Sequence, residues 1–187
     1  MRRPSVFGVS TRLPVLVSDK VRLRPRRLQD SASDYSWRRD TELCCFHAVT
    51  PILSSFEEYL KAYAEEVRYP GRGYRFAIET LDGKYIGNCS CFNVDEVKGS
   101  AELGIMIGDR AYWSHGYGAD AVLTLLNYIF SQTKLERVYL KALDWNIRAQ
   151  KCFKKCGFVS CGQLIYGDHS FIAMEICRSA KLQKQVK

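Results

Sequence analysis

The sequence predicts an α/β (α+β) domain with a central mixed, mostly antiparallel sheet flanked by helices, and three observations point there. Three strand-like runs, Tyr74 to Thr80, Tyr85 to Val94 and Ser100 to Gly108, are separated only by short turn sequences, which predicts an antiparallel meander. Behind them the pattern alternates: an apolar helix-like run from Ala119 to Phe130, a strand-like run from Arg137 to Asp144, a helical stripe, and two further strand-like runs. The length of 187 residues with 47% hydrophobic content suits one domain, large enough to bury roughly 70% of its unfolded surface.

Taken in order, residues 1–18 hold Pro4 and Pro14 with little periodicity and read as an irregular extension ahead of one domain over 19–178, with a basic tail at 179–187. Val21 to Pro25 alternates as a strand does, and Pro25 ends it. Asp30 through Arg39 carries a modest helical pattern. A second helix is marked by two overlapping capping boxes, Ser54 with Glu57 or Ser55 with Glu58, followed by Phe56, Tyr59, Leu60, Tyr63 and Val67 at helical spacing. Asp82-Gly83 predicts a tight hairpin turn, and Asp95 to Gly99 joins the next two strands. Asn146 is placed to cap a helix whose stripe is Ala149, Cys152, Phe153 and Cys156, and Gly157 stands where a helix ends. Two strands, Phe158 to Ile165 and Ser170 to Cys177, close the chain around the turn Tyr166-Gly167-Asp168-His169.

The net charge of +8 is concentrated at the ends. Residues 1–27 carry +7 and residues 178–187 carry +4, leaving the middle at −3. Such ends could touch RNA, a ribosome or an anionic surface, although solvated termini are the expected reading. The eight cysteines are interleaved with aliphatic and aromatic residues, without paired CxxC motifs, and read as buried thiols of a reducing compartment. The three histidines do not join them at zinc-ligand spacing, so no metal is expected. No run is long and apolar enough to cross a membrane and no signal peptide is evident, so a cytoplasmic protein is expected, without membrane partners.

The most informative stretch is Ser114-His115-Gly116-Tyr117-Gly118-Ala119-Asp120, at a strand-to-helix junction. Two glycines one residue apart allow a tight turn that exposes N–H groups at a helix start, where the dipole favours anions. The third glycine of a dinucleotide fingerprint is missing, and no Lys-Ser/Thr follows as a P-loop requires.

Three stretches together resemble the GNAT acyltransferase superfamily, and specifically its RimJ/RimL-like branch, over residues 20–177: Leu23-Arg24-Pro25 with Asp30 behind it; Ala101-Glu102-Leu103-Gly104-Ile105 running on through Tyr112 to Ala121; and Asn146-Ile147-Arg148-Ala149 ending in Lys155-Cys156-Gly157-Phe158. The superfamily loop usually carries Gln or Arg three residues before its first glycine, and this chain has Trp113, as that branch commonly does. The resemblance implies an acetyl-CoA-dependent N-acetyltransferase, in which an acetyl group passes to a primary amine by direct attack in a ternary complex. The acceptor would be a protein N-terminus or a small amine.

By the same resemblance, the pantetheine arm of acetyl-CoA would pair with the backbone of Met106, Ile107 and Gly108. The pyrophosphate would rest on the N–H groups of Ser114, His115, Gly116, Tyr117, Gly118 and Ala119. Asn146 would reach the pantetheine, and Phe153 would line the cofactor wall. Glu102, a lone carboxylate in an apolar strand, is the expected general base. The position where relatives often place a proton-donating tyrosine is Phe153, which has no proton to give; Tyr117 and Tyr166 are the substitutes the sequence offers. Residues around Trp37, Phe46, His47 and Tyr59, together with the turn from Tyr166 to His169, are expected to select the acceptor. A monomer or homodimer is expected, and a non-catalytic acyl-CoA-binding or RNA-associated module on the same fold is the alternative.

Overall fold

The computed structural model describes residues 13–180. One eight-stranded sheet runs through the domain in the order β1-β2-β3-β4-β5-β6-β8-β7, where β1 is Leu16–Val17, β2 Val21–Pro25, β3 Tyr74–Thr80, β4 Tyr85–Asp95, β5 Ser100–Ile107, β6 Arg137–Leu143, β7 Val159–Tyr166 and β8 His169–Cys177. Every neighbouring pair is antiparallel except β5 with β6. Among the described residues five α-helices of six residues or more accompany it: α1 Ser31–Arg39, α2 Thr41–Phe46, α3 Phe56–Arg68, α4 Tyr117–Gln132 and α5 Ile147–Cys156.

Local chemistry explains most boundaries. Of the two possible capping boxes before α3, Ser55 with Glu58 forms, each side chain bonding the other's backbone. Gly83 takes the left-handed conformation that the Asp82-Gly83 turn requires, at φ +93°. Asn146 Oδ1 accepts from Ala149 N at 3.2 Å and caps α5, and α5 ends on Gly157 at φ +101°. Helix α4, apolar nearly all round, lies against the sheet with Ala121, Val122, Leu125 and Ile129 fully buried beside Val21, Leu23, Phe76 and Ile78.

Two elements differ from expectation. The sheet begins at Leu16, where β1 pairs with β2, and Asp120 fastens this corner by accepting from Ser18 Oγ at 2.6 Å, Lys20 N at 2.9 Å and Val21 N at 3.1 Å. Helix α2, short and capped by Asp40, escaped the sequence because its six residues are too few to show a helical period.

The charged ends are partly structural. Arg24, buried in β2, pairs bidentately with Asp30 at 2.6 and 2.7 Å and also reaches Glu79, so the Leu23-Arg24-Pro25…Asp30 pattern is a buried charge lock. Arg178, placed at the start of a solvated tail by the sequence, donates to the carbonyls of Phe130, Thr133 and Leu135 and pairs with Glu136 at 2.9 Å. Arg22, Arg26 and Arg27 also stand near carboxylates of the domain, while the terminal cations at 2, 3, 12, 181, 184 and 187 lie outside the described residues, as does most of the expected irregular extension.

Candidate active site

Strands β5 and β6 begin side by side and then part. Their parallel pairing covers only Ser100, Ala101 and Glu102 against Arg137, Val138 and Tyr139. Beyond it a cleft of about 400 Å³ opens between Leu103–Ile107 on one side and Leu140–Ala142 on the other, closed by the starts of α4 and α5. Gly108 N donates to Ile86 O at 2.9 Å, so strand alternation turns the N–H and C=O of Ile107 and Ile105 toward this cleft. The indole of Trp113 already donates to Ile107 O at 2.6 Å. The strand edge on offer is thus shifted by one residue from the expected Met106–Gly108. Met106 and Ile107 border the cleft, whereas Gly108 does not and lies so close under the Trp37 ring that a Cβ there would sit 2.0 Å from it.

The glycine loop has the geometry of an anion seat. Ser114 and Gly116 both adopt positive φ, +63° and +88°, which turns successive N–H groups inward, and α4 starts at Tyr117. Ser114, Gly116, Gly118 and Ala119 border the cleft; His115 and Tyr117 do not. Tyr117 packs edge-on against Tyr112 instead. Lys151, Lys155 and Arg148 add positive charge along the α5 wall, and Arg148 lies 3.7 Å above the Trp113 ring. Asn146 borders the cleft too, and with Oδ1 spent on the cap its amide NH₂ makes no hydrogen bond among the described residues. Phe153 borders the cleft as well. This donor set of open strand edge, helix-start N–H groups and flanking cations fits a long amide-rich arm ending in phosphates.

A second cavity of about 680 Å³ lies under α1, α2 and α3, on the face of β3–β5 that carries Ser90, Phe92 and Gly104. Its polar centre is Asp34, which accepts from Tyr59 Oη at 2.5 Å and Asn88 Nδ2 at 2.8 Å and faces Arg26 at 3.6 Å. Burial and that carboxylate push the Tyr59 hydroxyl far above its ordinary pKa. The two cavities meet: Leu43, His47, Gly104, Ile105 and Met106 border both. His47, the C-cap of α2, packs against both cavities and keeps one part of the residue exposed. Desolvation by the packed cavity wall and, after it, the Arg38 cation hold the imidazole below its ordinary pKa.

Glu102 stands on β5, two residues before Gly104. It lies where β5 and β6 are still paired, and it borders neither cavity. Its oxygens are engaged by Asn93 Nδ2 and Lys141 Nζ, both at 3.0 Å, and Lys141 is the group that reaches the cleft. Tyr166, 60% exposed on β7, is not at either cavity. Cys152 borders the cleft, its thiol held below the usual range by a hydrogen bond with Cys156 and by Lys155. Asp34, Arg38, Arg75 and Asn88 were missed by sequence reasoning. The one signal available was a lone cation, Arg75, in the apolar run of β3. Among the described residues no cluster of three or more His, Cys, Asp or Glu could hold a metal, and no helix is long and apolar enough to cross a membrane.

Comparison with known proteins agrees with this geometry. The sequence profile of the acetyltransferase (GNAT) domain matches residues 20–159. An uncharacterized N-acetyltransferase, p20 of Bacillus licheniformis, is 25% identical over 155 residues, which is 81% of this chain and 86% of that one. The spermidine N(1)-acetyltransferase of Vibrio cholerae is 26% identical over 111 residues, 59% of this chain and 63% of that one. Among solved structures, a Vibrio cholerae spermidine N-acetyltransferase in complex with CoA and spermine superposes with a TM-score of 0.77 at 23% identity, covering 87% of this chain and 98% of its own. The aminoglycoside acetyltransferase AAC(6')-Ib in complex with coenzyme A superposes with a TM-score of 0.73 at 18% identity over 88% of this chain and 99% of its own. The chain belongs to the GNAT acetyltransferase family and has its fold. It is an N-acetyltransferase.

Proposed function

We propose that acetyl-CoA occupies the cleft between β5 and β6, that a primary amine enters the cavity under α1–α3, and that the acetyl group passes directly between them in a ternary complex. The observation that carries this is the shared floor: Gly104, Ile105 and Met106 border both cavities, so a thioester in one and an amine in the other can meet. The acceptor cavity of about 680 Å³ has room for a small amine or the first residues of a protein N-terminus. The arginine lock of β2 and Trp113 ahead of the glycine loop support a place in the RimJ/RimL-like branch. Acetyl-CoA is the donor, and the Gly116–Ala119 amides with Lys151 and Lys155 are the groups suited to its phosphates.

An alkyl ammonium of pKa about 10.4 must lose its proton before it attacks, which at pH 7 costs about 4.6 kcal/mol. His47 is the neutral base at the junction. Its free ring nitrogen takes the ammonium proton while the nitrogen lone pair forms the new C–N bond; the C–S bond breaks, and its electron pair leaves on sulfur. The amide nitrogen sheds its second proton to solvent, the sulfur takes one from solvent, which suffices for a thiol of pKa near 8.5, and the imidazolium returns its proton to solvent. Phe153 supplies no acid and excludes water from the cleft wall. Glu102 serves through Lys141, holding that ammonium at the cleft.

Initial velocities with both substrates varied test the scheme. Lines that intersect in double-reciprocal form are expected; parallel lines would mean an acetylated enzyme, with Cys152 as the candidate carrier. Binding of acetyl-CoA with no thiol release across a broad amine panel would instead favour a non-catalytic module.

A further inference from the structure

The acceptor cavity is cationic once its internal pairs are counted. Both of its carboxylates are satisfied from within: Asp34 by Tyr59, Asn88 and Arg26, and Glu66 by Arg26 Nη1 at 3.0 Å. Two further guanidiniums border the same space. Arg38 makes no side-chain hydrogen bond or ion pair among the described residues. Arg75 makes no side-chain hydrogen bond either: its Nη1 stands 3.9 Å from Glu66, and its Nε is shut away from water without a partner. Strand register fixes where Arg75 stands. It is directly opposite Ser90, and Ser90 directly opposite Gly104, so Arg75 is two strand spacings, about 10 Å, from the shared floor where the amine reacts. The walls between are partly apolar, with Trp37, Ile52 and Phe92 at the cavity.

We propose that the natural acceptor carries a carboxylate in addition to its reacting amine, the carboxylate being held by Arg38 and Arg75. This rests on the assignment of the cavity to the acceptor. A planar guanidinium with unspent N–H groups matches a carboxylate in charge and in two-point geometry. A polyamine finds the reverse here: no carboxylate in the cavity is left unpaired, and two more cations await it. The acceptor class is therefore a small zwitterionic amine of the amino-acid type with an apolar body. The polyamines and aminoglycosides named for the structural neighbours fall outside it.

Matched probe pairs test this on the full chain. The first pair is phenylalanine against phenylalaninamide, with spermidine alongside, assayed by thiol release from acetyl-CoA and expressed per deprotonated amine, because the amide lowers the amine pKa. The free acid is expected to exceed both others in kcat/KM by 10-fold or more. Arg75→Gln and Arg38→Gln are each expected to cut that preference at least 5-fold, with the KM for acetyl-CoA unchanged and Arg75→Lys restoring part of it. The second pair needs no turnover: N-acetylphenylalanine is expected to bind the wild type at least 10-fold more tightly than N-acetylphenylalaninamide by calorimetry, and Arg75→Gln to erase the difference. Spermidine or the amide preferred in turnover, or equal binding of the acetylated pair, overturns the carboxylate proposal and leaves the acetyl-transfer scheme standing. Acid-selective binding without turnover of any amine supports the carboxylate site and overturns that scheme.

Discussion

The two cavities that meet at Gly104–Met106 are built from different materials. The cleft proposed for the donor is mostly main chain: a strand edge freed where β5 and β6 part, and N–H groups at the start of α4. The cavity proposed for the acceptor is mostly side chain, assembled from Arg26 just past β2, from α1, α2 and α3, and from strands β3, β4 and β5. A site made of backbone depends on conformation, so it tolerates many side chains and constrains the few glycines that give it shape. A site made of side chains depends on which residues happen to face inward, so neighbours of one fold can take different acceptors while keeping one donor.

Substitutions can break this contrast in turn, and the largest effect is expected at the junction. His47→Gln removes the base and should lower kcat at pH 7.5 by about 100-fold with little change in the KM for acetyl-CoA; steady-state kinetics checks both. On the donor side, a Cβ at Gly118 would stand 3.7 Å from Ile107 Cγ1 and 3.9 Å from Cys152 Sγ, ordinary contacts. Gly118→Ala should therefore raise the melting temperature slightly through helix propensity, yet raise the KM for acetyl-CoA about 10-fold by crowding the phosphate seat. Calorimetry and kinetics moving in opposite directions would show a ligand-imposed glycine. The smallest effect belongs to Phe153→Tyr, expected to change kcat by less than about 3-fold, since a thiolate of ordinary pKa leaves without an acid; a large gain would restore the role of a proton donor there.

The same contrast explains what could be learned from the sequence. The glycine loop, the Asn146 cap and the Gly157 terminus are local, each decided by a few adjacent residues, and the architecture followed from such signals. The long-range facts were invisible. Lys141 on β6 and Asn93 on β4 engage Glu102, and nothing near position 102 announces either. His47 sits at the junction because a six-residue helix turns it there, and Arg75 borders the larger cavity because of its register with Ser90.

The pH dependence of kcat, with both substrates saturating, bears most directly on the junction. With the His47 pKa held below its ordinary value, the wild-type rate should rise with pH along a limb centred below about 6.5 and be flat above it. His47→Gln should lose that limb, whereas Glu102→Gln should keep it. A limb that survives in His47→Gln and disappears in Glu102→Gln would contradict the account and return the proton to the carboxylate of β5.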